Sequence, residues 1–136
     1  MVEAKSIRGR KTQRPLSPHL QIYRLSTSML MSILHRMTGG ALYFGSVLLA
    51  IWLVAVASGP DVFNFVNGLF GTLPGRIVLF GYTWALVHHM MGGIRHFIWD
   101  TGRGLGIPSV NFLSWASIVS SVMLTIAVWA GALLLV

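Results

Sequence analysis

Three windows free of Lys, Arg, Asp and Glu, at residues 37–60, 77–94 and 104–136, constrain this chain more than any other feature. A bilayer core of about 30 Å is crossed by about 20 helical residues, each rising about 1.5 Å. The first window exceeds that length, and its helix can begin as early as Met29. The second is slightly short, but Arg76 and Arg95 at its ends can snorkel outward and extend it. The third opens with a polar stretch at 104–111, which leaves 112–136 as the span. The sequence therefore predicts an all-α integral membrane protein with spans at about 29–57, 76–99 and 112–136. Residues 1–28 form a basic segment ahead of a membrane domain at 29–136.

Composition excludes the main alternatives. Only 10% of the residues are charged and 54% are apolar, whereas a soluble domain carries roughly a quarter of its residues as charges. No length remains for a separate aqueous domain, so chemistry on a water-soluble substrate belongs to another chain. Cysteine is absent, which excludes disulfides, thiolate metal sites and a cysteine nucleophile.

The basic residues set the orientation. Lys5, Arg8, Arg10, Lys11, Arg14, Arg24 and Arg36 precede the first charge-free window, and Arg95 and Arg103 flank the second connection. Only Arg76 lies on the other side, so the N-terminal segment and the second connection are expected to face the cytoplasm or an organelle matrix. The formal charge of +7 reads as a topology signal and a contact with anionic headgroups, and no folded basic module suggests nucleic-acid binding. Met1–Arg24 lacks the apolar core of a secretory signal. Arg14-Pro15 and Ser17-Pro18 favour an extended or turned path along the membrane surface. A bacterial inner membrane is preferred over a mitochondrial one, because no convincing transit peptide precedes Arg14.

A plain anchor would present only Leu, Ile and Val to lipid, yet His88 and His89 lie inside the second span and His96 near its cytoplasmic end. Ionisable groups within a membrane are costly and favour a functional reading. Three, four and seven residues from His89 on the same helix face lie Tyr82, Ala85, Gly92, Gly93 and His96. The small residues leave a shallow recess that admits either a closely packed helix or a planar macrocycle. With an imidazole at its middle, the recess fits a haem lying edge-on, with His89 as axial ligand. His88 points about 100° away, as an interface residue or a support for the ligand. A second group, Ser32, His35 and Arg36 followed by Thr38-Gly39-Gly40, stands at the cytoplasmic start of the first span. A hydroxyl, an imidazole and a fixed cation there suit the polar head of a quinone or the propionates of a haem. The plainer reading is that Arg36 snorkels and Ser32 bonds its own helix.

Two segments resemble the family of cytochrome b membrane-anchor subunits of succinate dehydrogenase (succinate:quinone oxidoreductase). The first is Arg14-Pro15-Leu16-Ser17-Pro18-His19-Leu20 with Tyr23, leading to Ser32-x-x-His35-Arg36-x-Thr38-Gly39. The second is His89-x-x-x-Gly93-x-Arg95-His96-x-x-x-Asp100. The resemblance runs from about Arg14 to the C-terminus, and the third span matches only as a generic apolar helix. It implies a three-helix up-down bundle completed by a second small anchor subunit, with a flavoprotein subunit and an iron–sulfur subunit as further partners. It implies a b-type haem with His89 as one ligand to the iron and the partner anchor supplying the other. Ser32 and Arg36 match the ubiquinone site, and His35 with Arg36 match positions near the haem propionates. The seven-residue spacing to His96 favours His89 over His88. No complete active site is expected on this chain alone. A fumarate reductase anchor and a small histidine-based proton or solute transport subunit are the alternatives; the carboxylates of a proton path are missing, since Asp61 and Asp100 lie at or beyond span ends.

Overall fold

The computed structural model describes residues 3–5, 11–13 and 24–135. The proline-containing stretch from Arg14 to Tyr23, with its expected extended path, lies outside the described residues. Two short strands, β1 (Glu3–Lys5) and β2 (Lys11–Gln13), pair antiparallel with Ala4 opposite Thr12. All other elements are helices: α1 (Thr27–Ser58), α2 (Pro60–Gly71), α3 (Leu73–Asp100) and α4 (Ile107–Leu134). Three of them, α1, α3 and α4, are long and apolar enough to cross a membrane.

Local chemistry explains the helix ends. Ser26 caps α1, its side chain accepting from the amide of Met29. The 32 residues of α1 rise about 48 Å, more than a bilayer core, so its first turns reach into the headgroup region. Gly59 ends α1 with φ 106°, a conformation that glycine adopts without a Cβ clash, and Pro60 opens α2. Thr72 caps α3 by accepting from the amide of Gly75, with Pro74 in its first turn. Gly102 and Gly104, both at positive φ, close the turn that leads to α4.

Two features depart from the sequence expectation. The connection between the first two expected spans contains α2, a 12-residue helix outside all three. Its signals are Gly59-Pro60-Asp61 at the start and Val62, Phe63, Val66 and Phe70 at helical spacing. The third helix starts at Ile107 rather than Phe112, because Pro108 fits a first helical turn and the polar stretch is absorbed into it.

Helix α3 packs between α1 and α4. Its contact with α1 depends on glycine: the Tyr82 ring lies against Gly45 so closely that a Cβ there would overlap it. Against α4 the buried side chains are polar. Ser114, Ser117, Ser121 and Thr125 recur at spacings that share one helix face, and all are buried. Each hydroxyl donates to a carbonyl of its own helix, from Ser114 to Val110 at 2.8 Å and from Thr125 to Ser121 at 2.7 Å, for example. Small satisfied side chains let two helices approach closely where lipid removes the usual hydrophobic drive. Large apolar groups such as Tyr43, Phe44, Ile77 and Leu133 face outward.

Gly45→Ala is expected to destabilise the purified protein by about 1–3 kcal/mol, because the added methyl displaces Tyr82. Gly81→Ala, with nothing within 4 Å, is expected to stay within about 0.5 kcal/mol of the parent or gain slightly. Thermal unfolding of the two variants in the same detergent distinguishes them.

Candidate functional site

The site is built where α1 crosses α3. At Gly92 the His35 ring occupies the volume a side chain would take, so a Cβ there would collide with His35 Nδ1. The recess read around His89 is therefore partly filled by α1, and its open part is at Gly93, which has nothing within 4 Å of a Cβ position. The reciprocal approach is at Gly39, where a Cβ would come within 3.1 Å of His89 Cε1. With both glycines in place, the His35 and His89 rings stack, 3.9 Å between centroids and 7° from parallel.

The hydrogen bonds of His89 decide its tautomer. Its Nδ1 lies 3.1 Å from the His35 carbonyl oxygen and 3.4 Å from Thr38 Oγ1. A carbonyl only accepts, so Nδ1 carries the proton and the lone pair is on Nε2. Thr38 is buried and gives its own hydroxyl proton to the carbonyls of Leu34 (2.9 Å) and His35 (3.0 Å), so its oxygen is free to accept from His89. The ring is thus oriented from α1 with one nitrogen prepared for an electrophile.

His88, one residue away, has a different fate. It is 1% exposed, its Nδ1 lies 3.1 Å from Ser121 Oγ of α4, and its ring stacks on Trp84. Its Nε2 is enclosed and without a hydrogen-bond partner. His88 belongs to the packed interface between α3 and α4, while His89 is only half-buried. His96 is exposed near the end of α3, tilted toward His35 at 5.5 Å and edge-on to Trp99 at 5.2 Å.

Ser32 and Arg36 are both exposed on the first turns of α1. Arg36 folds back, donating from Nη2 to Ser32 Oγ at 3.1 Å and from Nε to the Ser32 carbonyl at 3.3 Å. Because Ser32 Oγ accepts from the guanidinium, its own O–H points its proton elsewhere. The pair therefore presents a charge-polarised hydroxyl donor and a cation at one place. His35 and Arg36 are not side by side: His35 enters the contact with α3, and its enclosed Nδ1 has no hydrogen-bond partner.

Among the described residues no group of three or more His, Cys, Asp or Glu side chains can enclose a bare metal ion. The open His89 nitrogen suits a metal that arrives with its other ligands in a macrocycle. The backbone acceptor at His35 has no local sequence signature, and the α4 serine face, which holds His88 away from the site, is regular in spacing but takes its meaning only from His88 opposite.

A model of the family described as "Succinate dehydrogenase/Fumarate reductase transmembrane subunit" matches residues 10–130. The chain is 41% identical over 117 residues to the succinate dehydrogenase cytochrome b556 subunit of Rickettsia felis, covering 86% of this chain and 91% of the relative. It is 43% identical over 113 residues to the protein of that name from Paracoccus denitrificans, covering 83% and 87%. Similarity extends to the mitochondrial succinate dehydrogenase cytochrome b560 subunit of Sus scrofa, 41% over 102 residues, covering 74% of this chain and 60% of the relative. The three spanning helices and the bacterial relatives make this a multi-pass inner-membrane protein. The chain belongs to the succinate dehydrogenase/fumarate reductase transmembrane subunit family.

Proposed function

We propose that this chain is the larger membrane anchor of a succinate:quinone oxidoreductase, holding a b-type haem through His89 and forming part of a ubiquinone site at Ser32 and Arg36. The observation that carries the reading is the His89 imidazole itself. Its Nδ1–H is spent on the His35 carbonyl at 3.1 Å, and its lone pair is left on the half-buried edge. A ligand nitrogen must be reachable from outside the chain, and the Nε2 of His88, equally without a partner, is fully enclosed. Here the neighbouring His88 is the one locked inside the chain, against Ser121.

The residues present fit a haem. His89 is the ligand to the iron, Thr38 and the His35 carbonyl orient it, and Gly93 leaves open space on the same helix. The exposed Arg36 guanidinium supplies a positive group suited to propionates, and His35, whose Nδ1 is enclosed against Gly92, has only its Nε2 for the same role. When bound, a b-type haem supplies a one-electron carrier. The second ligand to the iron comes from a partner anchor subunit, and the names of the relatives support a flavoprotein and an iron–sulfur subunit as the source of electrons. The basic N-terminal segment and the connection between α3 and α4 face the cytoplasm, where those subunits dock.

A quinone takes up two electrons and two protons as its two carbonyl oxygens become hydroxyls, and negative charge gathers on those oxygens as the electrons arrive. Ser32 donates a hydrogen bond to one such oxygen and keeps its proton, while Arg36 holds Ser32 Oγ and keeps a positive charge alongside. In the low dielectric of the membrane border the cation acts more strongly than it would in water. The groups that deliver both protons come from partner chains, so the active site is shared. The relatives' names support succinate oxidation over the reverse direction. A histidine proton relay is disfavoured because His88 bonds toward α4 while His89 stacks on His35 of α1, so the two adjacent histidines serve different sides of α3.

In the assembled complex, a reduced-minus-oxidised spectrum is expected to show a b-type haem that His89→Ala abolishes and His88→Ala retains. Loss with His88→Ala and retention with His89→Ala would reassign the ligand; retention in both would remove the haem from this helix. Arg36→Leu is expected to slow quinone reduction by roughly 10²-fold while succinate oxidation by a water-soluble artificial acceptor continues. Unchanged quinone reduction would remove Arg36 from the quinone site, and equal loss of both activities would point to failed assembly instead.

A further inference from the structure

Arg95 takes no part in the haem or quinone reading, yet it is the most anomalous side chain in α3. It is 3% exposed, and its Nε and Nη1 are enclosed without a hydrogen-bond partner. The guanidinium lies over the Trp99 ring at 5.1 Å from the centroid, which offsets only part of the cost of burying a cation. The carboxylates in the described helices do not answer it: Asp61 opens α2 at the other end of the bundle, and Asp100 is exposed at the end of α3. Arginine cannot shed its charge inside a protein, so a balancing anion is needed.

Beside the guanidinium is an open groove of about 220 Å³ between α3 and α4, lined by Arg95 with Met91, Ile94, Ile98, Leu113, Ala116, Ser117 and Ser120. The two hydroxyls already donate to carbonyls of their own helix, Ser117 to Leu113 at 2.7 Å and Ser120 to Ala116 at 2.6 Å. They can accept from Arg95 or from water but cannot cancel its charge. Arg95 lies five residues before Asp100, about 7.5 Å inside the helix end, near the level where lipid phosphates meet acyl chains. An unpaired cation at the floor of an otherwise apolar groove matches a ligand with an anionic head and hydrocarbon tails.

We infer that Arg95 and the groove between α3 and α4 form a binding site for one anionic phospholipid, its phosphate on the guanidinium and an acyl chain along Met91, Ile94 and Leu113. A carboxylate from a partner helix would answer the charge but would leave the hydrocarbon-lined length of the groove unfilled. The site uses the side of α3 that faces α4, away from the His89 contact with α1, so it stands or falls separately from the haem reading.

The test uses the whole assembly extracted from membranes in mild detergent, with bound lipid measured by native mass spectrometry. The parent is expected to retain one anionic phospholipid per copy that Arg95→Gln loses. Ala116→Leu, which keeps the cation and fills the groove, is expected to lose it too while the haem spectrum is unchanged. After delipidation, phosphatidylglycerol micelles are expected to raise the Tm of the parent and not of Arg95→Gln, and inorganic phosphate is expected to give no such rise. Equal lipid retention in the parent and both variants overturns the proposal. An equal rise with inorganic phosphate overturns the lipid assignment in favour of a soluble anion. Dissociation of a partner subunit from Arg95→Gln, with lipid retained, overturns it in favour of a partner carboxylate. If Arg95→Gln does not assemble, Ala116→Leu and the micelle titration of the parent decide the question.

Discussion

The bond from His89 Nδ1 to the His35 carbonyl organises the centre of this molecule. It crosses from α3 to α1, it spends the one proton that a neutral imidazole carries, and it leaves the second nitrogen as a base. It forms only because the helices come together closely enough. That closeness comes from glycine at Gly39 and Gly92 beside the two histidines and at Gly45 beside Tyr82. Without a hydrophobic drive between helices in lipid, such backbone approach is a main source of cohesion. The packing of α1 on α3 and the preparation of a ligand are thus one event.

The same logic separates two adjacent histidines. Consecutive residues on a helix point about 100° apart, so His88 and His89 face different helices. Helix α4 receives His88 with a hydroxyl, Ser121, on a face of small polar residues, and that interface is closed over it. Helix α1 receives His89 with a carbonyl and a threonine, and leaves an edge open. The buried face of α4 is polar and small while the outside of the bundle is apolar and large. Each buried hydroxyl on α4 is satisfied locally, so the polarity costs little and the histidine gains a partner.

Much of this was legible in the amino-acid order, for identifiable reasons. Charge-free windows bounded by Arg36, Arg76, Arg95 and Arg103 reveal three spans because charges are disfavoured in hydrocarbon, although Arg95, expected to snorkel outward, is instead buried over Trp99. The spacing of Ser32 and Arg36 places them on one face, and the structure joins them by a hydrogen bond. Less legible was α2, whose short amphipathic pattern carries no charge contrast beyond Asp61 and reads as a connection. The recess at His89 admits a packed helix or a planar group, and His35 of α1 fills its Gly92 side; a helix pattern gives the shape of one surface and not of what docks on it. Nor could the order of residues reveal the His35 carbonyl as an acceptor, since every residue has a carbonyl and only packing selects one. The serine face of α4 was present at regular spacing, but it has meaning only opposite His88.

The most direct test of the account is a density map of the complete assembly at a resolution that orients imidazole rings. The account predicts the haem iron bonded to His89 Nε2, with Nδ1 still directed at the His35 carbonyl and Ser121 still holding His88. Iron bonded to His88, or a His89 ring turned so that Nδ1 meets the metal, would contradict it.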